Sequence, residues 1–214
     1  MVTRSRSILT LALSLLGTAT FGASMASAFN PADVQRLKTS KQCPNCDLSY
    51  ANLGRLDLSG ANLSQSNLSG AGLRGSNMQG ANLSLANLSS ADLIGNNLSG
   101  ANLSGANLLG AYLRQANLQQ ANLAYATMSA VNLNGANLIN ANLYRAILIN
   151  ADLTSANLSG ANLLRADLGV ASLQSANLSG AILERANLVG AFYNQSTTFN
   201  SGFSPVFRGM EAAN

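Results

Sequence analysis

From Cys46 to Gln195 the chain repeats every five residues, in 30 consecutive units with no break in phase. The central position starts at Leu48 and recurs to Tyr193. It is Leu in 27 units, the exceptions being Met78, Met128 and Tyr193. Two residues earlier stands Ala in 24 units, the exceptions being Cys46, Leu56, Ser66, Ser76, Asn96 and Val131. The residue between them is mostly Asn and sometimes Asp. The last two positions are mostly Ser, Gly, Gln or Arg.

Residues two apart on an extended chain share a face. The Ala and Leu of each unit therefore point inward and the Asn between them points out. The next Ala comes three residues after the Leu, an odd step that would flip it to the outside of a straight strand. It stays inside only if the chain turns a corner on the Ser/Gly-rich pair, where Gly accepts backbone angles that other residues avoid. A bend of one sense every five residues winds a coil lined by Leu and Ala, with backbones paired between stacked coils. All three prolines (Pro31, Pro44, Pro205) lie outside the periodic segment, as a ladder that uses each N–H requires. An amphipathic helix is excluded, because its apolar period is 3.6 residues.

The same phase explains the composition. The chain has 214 residues, 47% hydrophobic, only 9% charged and 5% aromatic, with no His and no Trp. The inward slot takes 27 of the 37 leucines, and the outward slot is filled by Asn instead of charge. The apolar fraction excludes disorder, and the scarcity of Glu and Lys excludes a coiled coil. Without His there is no Ser-His-Asp triad, Cys-His pair or His-ligated metal. Asp47, Asp57, Asp92, Asp152 and Asp167 replace Asn at the outward slot, scattered and without a partner base. No phosphate loop or metal motif is present. The chain is read as a non-enzyme with no catalytic, cofactor-binding or metal-binding residues.

Runs such as Ala61-Asn62-Leu63-Ser64 and Ala101-Asn102-Leu103-Ser104-Gly105 resemble the pentapeptide-repeat family, whose unit is Ala-(Asp/Asn)-Leu-x-x. The resemblance covers about 150 of 214 residues. It implies an all-β fold, a right-handed quadrilateral β-helix (β-solenoid) with four units per 20-residue coil. On that count the repeats make about 7.5 coils. At ~4.8 Å per stacked strand the rod is roughly 36 Å long.

Four segments follow. Residues 1–28 read as a signal peptide: Arg4 and Arg6 are basic, Ile8 to Leu16 is apolar, and Ala26-Ser27-Ala28 is a cleavage site ahead of Phe29. The apolar stretch is too short to span a bilayer, so no stable membrane anchor is expected after cleavage. Residues 29–45 read as a capping helix and a Cys-x-x-Cys lead-in. Asn30 caps the helix, Pro31 takes its first position, Asp33 sits near its positive end, and Val34 and Leu37 share a face. Residues 46–195 are the repeats. Residues 196–214, with Thr198, Phe199, Phe203, Val206 and Phe207, read as a C-terminal cap over an end that would otherwise expose apolar interior and unpaired edges. A partner-docking peptide is the alternative for those aromatics.

Eight Asn-Leu-Ser triplets, including Asn62, Asn82 and Asn102, match the glycosylation sequon. Glycans there would block coil stacking. The expected location is therefore the periplasm or a thylakoid lumen. Exported members of the family from cyanobacteria and chloroplast lumens are similar in having a signal peptide followed by uninterrupted repeats. After cleavage ten Lys/Arg face eight Asp/Glu, a near-neutral balance that points to no nucleic-acid partner.

Three surface features are candidates for function. Cys43 and Cys46 are expected to form a disulfide in an exported protein, with buried thiols or a redox-active pair as alternatives. Structural zinc lacks the ligands it needs. The outward Asn residues form columns at 20-residue spacing, Asn77 to Asn177 and Asn62 to Asn162. They suit hydrogen-bonded ladders or, alternatively, a repetitive ligand such as a polysaccharide. Arg145, Arg165 and Arg185 form a third column, with Tyr144 and Tyr125 beside it and Glu184 expected to pair locally. That column suits an acidic partner, and nearby Ile147, Ile149, Val170 and Val189 make an apolar patch. The expected role is an exported structural or protein-interaction module with a protein partner in that compartment. The alternatives are a redox protein acting through Cys43 and Cys46 and, as in the quinolone-resistance branch of the family, a DNA mimic that inhibits a topoisomerase. The latter needs a strongly acidic rod.

Overall fold

Parallel backbone pairing at an offset of 20 residues organises the chain from Gln42 to Phe192. In the computed structural model, which describes residues 29–213, Gln42 pairs with Asn62, Asn62 with Asn82, and so on to Ser172 with Phe192. Three backbone hydrogen bonds per unit make each step. The Leu63 N–H donates to Asn82 C=O at 2.7 Å, and the Asn82 N–H donates back to Ala61 C=O at 2.8 Å. The third comes from the corner residue, as from the Gln65 N–H to Ser84 C=O at 2.8 Å. A coil therefore takes 20 residues, or four units, and each unit forms one side. The leucines from Leu48 to Leu188 in the central slot are all buried. Met78 and Met128 replace two of them at no exposure, as a flexible side chain can in an irregular gap.

Each corner is a β-turn. The N–H of each Ala reaches back to the preceding Leu C=O, as from Ala51 to Leu48 at 3.1 Å. The second turn residue has positive φ at all 30 corners from Asn45 to Gly190, and only 12 of them are Gly. The 18 others include Tyr50, Leu85, Val170 and the three arginines of the predicted column. A left-handed conformation costs an L-residue about 1–2 kcal/mol. It is held here because the ladder fixes the backbone on both sides of each turn.

The outward Asn side chains serve two partners. Asn122 Oδ1 accepts the Ala124 N–H two residues on, and Asn122 Nδ2 donates to Asn102 Oδ1 one coil back at 3.2 Å. The Asn62 column runs in this way from Asn162 to Asn62. The Asn77 column does so from Asn137 to Asn77 and on to Asp57. A third column, Asn107 to Asn67, ends on Asp47.

Helix α1 (Pro31–Ser40) lies at the N-terminal end. Asn30 Oδ1 accepts the Ala32 N–H at 3.0 Å, and Lys41 closes the helix in a left-handed conformation. Leu37 is buried, and Val34 and Phe29 rest on the same core. Pairing extends past the periodic segment at both ends. Lys41 to Asn45 form a unit before Cys46, with Cys43 in the Leu slot. After Gln195 one extra residue enters, so Asn177 pairs with Thr198. The chain then returns through a short 3-10 turn (Val206–Arg208), and β1 (Phe192–Tyr193) pairs in parallel with β2 (Glu211–Ala212). Met210 is buried there, while Phe199 stacks on Phe203 and meets Tyr193 edge-on. Residues 1–28, expected from the sequence to be a signal peptide, lie outside the described residues.

Candidate functional site

A corner residue with positive φ projects away from the core, so large side chains at that position form a ridge. The ridge that carries Arg145, Arg165 and Arg185 is held by the ladder: the Arg145 N–H donates to Leu164 C=O at 3.1 Å, and the Arg165 N–H to Glu184 C=O at 3.0 Å. Tyr125 heads the column, one coil before Arg145. Its ring meets that of Tyr144 edge-on, with centroids 5.4 Å apart. The Arg145 guanidinium carbon lies 5.6 Å from the Tyr144 ring centre, a cation–π contact. All three arginines are exposed. Among the described residues the ion pairs are Arg36–Asp33, Lys41–Asp57 and Arg74–Asp92. The expected local pairing of Glu184 is therefore absent, and two of the acids read as scattered, Asp57 and Asp92, do have basic partners.

The side that follows this ridge has its centres at Thr127, Ile147, Asp167 and Asn187. Ile147 lies in the middle, and Ile149, Val170 and Val189 line the far corner. Ile147, Val170 and Val189 are exposed, Val189 most of all at 65%, while Ile149 is half-buried. Leu109, in the same column as Ile149 and Val189, extends the apolar edge by two coils. It was not singled out from the sequence, although its place in a Ser/Gly column is the signal that finds it. The ridge and the far corner thus bound one side of the rod, basic on one edge and apolar on the other.

The Cys pair occupies the opposite end of the molecule. Cys43 and Cys46 are disulfide-bonded and buried beneath α1. Arg36 of α1 places Nη2 2.6 Å from Cys46 Sγ and 3.0 Å from Asp33 Oδ1. Asp33 Oδ2 in turn accepts the Asp47 N–H at 2.9 Å. Asp33 and the two sulfurs lie within 4.8 Å of one another. With the sulfurs bonded together, the carboxylate is satisfied by Arg36 and the Asp47 backbone. Sequence reasoning reached the cysteines but missed Asp33 and Arg36 as their neighbours, since that contact spans the helix.

Elsewhere, Asp57 accepts from Lys41 Nζ at 3.0 Å and from the Ser59 N–H at 3.2 Å. The Lys41 hydrogen bond, then the Ser59 bonds, hold its carboxyl well below the usual range. An open concavity at the C-terminal end is lined by Tyr193, Asn194, Gln195, Ser196, Ala212 and Ala213, with no carboxylate, lysine, arginine or cysteine among them. Among the described residues, no helix is long and apolar enough to cross a membrane.

The family model for pentapeptide repeats matches this chain in eight copies, over residues 46–84, 66–96, 81–120, 97–135, 136–169 and 151–190. No curated protein matches it. Among solved structures it is similar to HetL, a pentapeptide repeat protein involved in heterocyst differentiation regulation from the cyanobacterium Nostoc sp. strain PCC 7120. The two are 30% identical, over 83% of this chain and 90% of that one, with a TM-score of 0.44. QnrB1, a plasmid-mediated fluoroquinolone resistance protein, is 20% identical over 72% of this chain and 82% of its own, with a TM-score of 0.55. A pentapeptide repeat protein from the Arabidopsis thaliana thylakoid lumen is 31% identical over 48% of this chain and 68% of its own, with a TM-score of 0.23.

Proposed function

The chain belongs to the pentapeptide-repeat family, and from that premise we propose that it is an exported, non-enzymatic rod that presents one side to a protein partner. The observation that carries this reading is one side of the rod whose two edges depart together from the Asn-, Ser- and Gly-rich pattern. There three unpaired arginines face a line of exposed aliphatic side chains. Exposed apolar groups beside unpaired charge mark contact surfaces more than solvated ones. The same reading takes the rod as a right-handed quadrilateral of about 7.5 coils, capped by α1 and by residues 196–214, in line with the 20-residue offset. It places the mature protein, from Phe29, in the periplasm or a thylakoid lumen, in line with the features of residues 1–28.

The test has two arms. N-terminal sequencing of protein recovered from the exported compartment should begin at Phe29, and full-length protein retained in the cytoplasm would overturn export. A pull-down from that compartment should recover a protein with the wild type that is lost with Arg145→Ala/Arg165→Ala/Arg185→Ala. Recovery unaffected by the triple variant would remove this side from the reading.

A second reading, redox activity at Cys43 and Cys46, is favoured by one contact, the Arg36 guanidinium on Cys46 Sγ, since a cation stabilises a thiolate. Burial of both sulfurs opposes it. It fails if Cys43→Ser/Cys46→Ser lowers stability but leaves exchange with small disulfides unchanged. The DNA-mimic alternative finds no support in charge, with ten Lys/Arg against eight Asp/Glu after residue 28.

A further inference from the structure

The spacing of the Arg ridge identifies the kind of chain that fits it. Arg145, Arg165 and Arg185 occupy successive coils, so they are one strand spacing apart, about 4.8 Å. Carboxylates that meet all three must repeat at nearly that distance. An α-helix brings a side chain to the same stripe once per turn, about every 5.4 Å. Over the two intervals between three arginines its register slips by only about 1 Å. Side chains on one face of an extended strand recur every ~6.7 Å and slip by about 4 Å over the same span, more than an arginine fork corrects at two sites at once.

The width of the side agrees. From Arg145 to Ile149 is four residue steps, about 13 Å at full extension. A helix with its side chains is about 10–12 Å across. A helix laid along the rod axis would rest one stripe on the arginines and an adjacent stripe on Ile149, Val170 and Val189, with Ile147 beneath it. Two acids lie near this path. Asp167, mid-side, has Oδ1 engaged by the Gly169 N–H at 3.1 Å and by Asn187 Nδ2 at 2.8 Å. Glu184 lies across the ridge, on the neighbouring side. The acidic stripe of the partner therefore belongs over the arginines, with polar residues opposite Asp167.

We infer that this side seats an amphipathic α-helix of a partner protein, about three turns long, with an acidic stripe against Arg145, Arg165 and Arg185 and an apolar stripe against Ile149, Val170 and Val189. The inference rests on the reading of the rod as a protein-interaction module and names the partner's chemistry.

Three fluorescent probes test it against the full mature protein by anisotropy: an 18-residue helical peptide with Glu on one stripe and Leu on the next, a composition-matched peptide with Glu and Leu alternating, and duplex DNA. The helical peptide should bind at least about tenfold more tightly than either comparator. Arg145→Gln/Arg165→Gln/Arg185→Gln should weaken it about tenfold or more, and Ile147→Asn/Val189→Ser by about threefold or more. Melting temperatures confirm that both variants fold. Equal binding of the alternating peptide or of DNA, or no loss in the triple variant, would overturn the inference. A photo-crosslinker at position 149, with position 119 on another side as reference, separates the two levels in the exporting host. Protein adducts at 149 alongside a silent helical peptide would sink the helix and leave the interaction module standing. No adduct at either position would sink the module itself.

Discussion

The ring of Tyr50 lies over Gly70, one coil ahead, so closely that a Cβ on Gly70 would fall 2.5 Å from its Cδ1 and Cε1 atoms. Leu85 lies over Gly105 and Val170 over Gly190 in the same way. Gly60 has the same backbone conformation but open space around its missing Cβ. Gly60→Ala should therefore cost only the left-handed penalty, about 1–2 kcal/mol. Gly70→Ala should cost more, and Tyr50→Ala should bring its cost back to that of Gly60→Ala. Thermal unfolding of the four variants decides it; equal costs with Tyr50 in place would show that the ring simply swings aside.

Asn96 stands in an Ala slot, fully buried. Its Nδ2 donates to Ser76 Oγ at 2.7 Å and to Leu73 C=O at 3.0 Å, but its Oδ1 has no hydrogen-bond partner. A buried acceptor left unpaired costs about 1–3 kcal/mol. Asn96→Ala restores the residue used at most equivalent positions. It should raise stability by about 1 kcal/mol, seen as about 2–4 °C in melting temperature. A lower melting temperature would mean that the Ser76 contact outweighs the orphaned oxygen.

The Cys43–Cys46 bond closes a short loop, separation three, for which loop-closure entropy amounts to about 2 kcal/mol. In a solenoid the loss stays near its origin, because each coil contacts only its neighbours. Cys43→Ser/Cys46→Ser should accelerate amide exchange in α1 and in residues 41–65 and leave residues 140–190 unchanged. Uniform acceleration along the rod would contradict that locality.

The Asp57 carboxyl is held low chiefly by the hydrogen bond from Lys41, and then by Ser59. A depressed folded pKa adds stability that is present above the unfolded value, about 3.9, and lost as pH falls through the folded value. Lys41→Met should return Asp57 toward 3.9 in an NMR pH titration, with little change in stability at neutral pH because the pair is exposed. A titration unchanged by the variant would assign the shift to Ser59.

The inward residues were legible because period and chemistry agree: Leu and Ala recur where an extended chain with one bend per unit must bury them. The ends of the ladder were less so. Lys41-Gln42-Cys43 shares the backbone of a repeat but none of its side chains, and the residue inserted before Thr198 shifts the phase. The left-handed corners at Tyr50, Leu85 and Val170 run against local preference, and only the ladder on both sides imposes them. The Arg ridge followed from 20-residue arithmetic once the coil length was known. The Asp33–Arg36–Cys46 contact did not, since nothing in local spacing says which side of α1 meets the first coil.

The fixed offset of 20 residues also limits how such a gene can change length. A duplication of four units adds one full coil and leaves each surface aligned. Gain or loss of a single unit keeps every Leu inside but rotates the remainder of the rod by a quarter turn. An indel of that size between Tyr125 and Arg145 would separate the aromatic head of the column from its arginines, with the core untouched. Selection for a folded protein alone would not notice the difference; selection for a partner would.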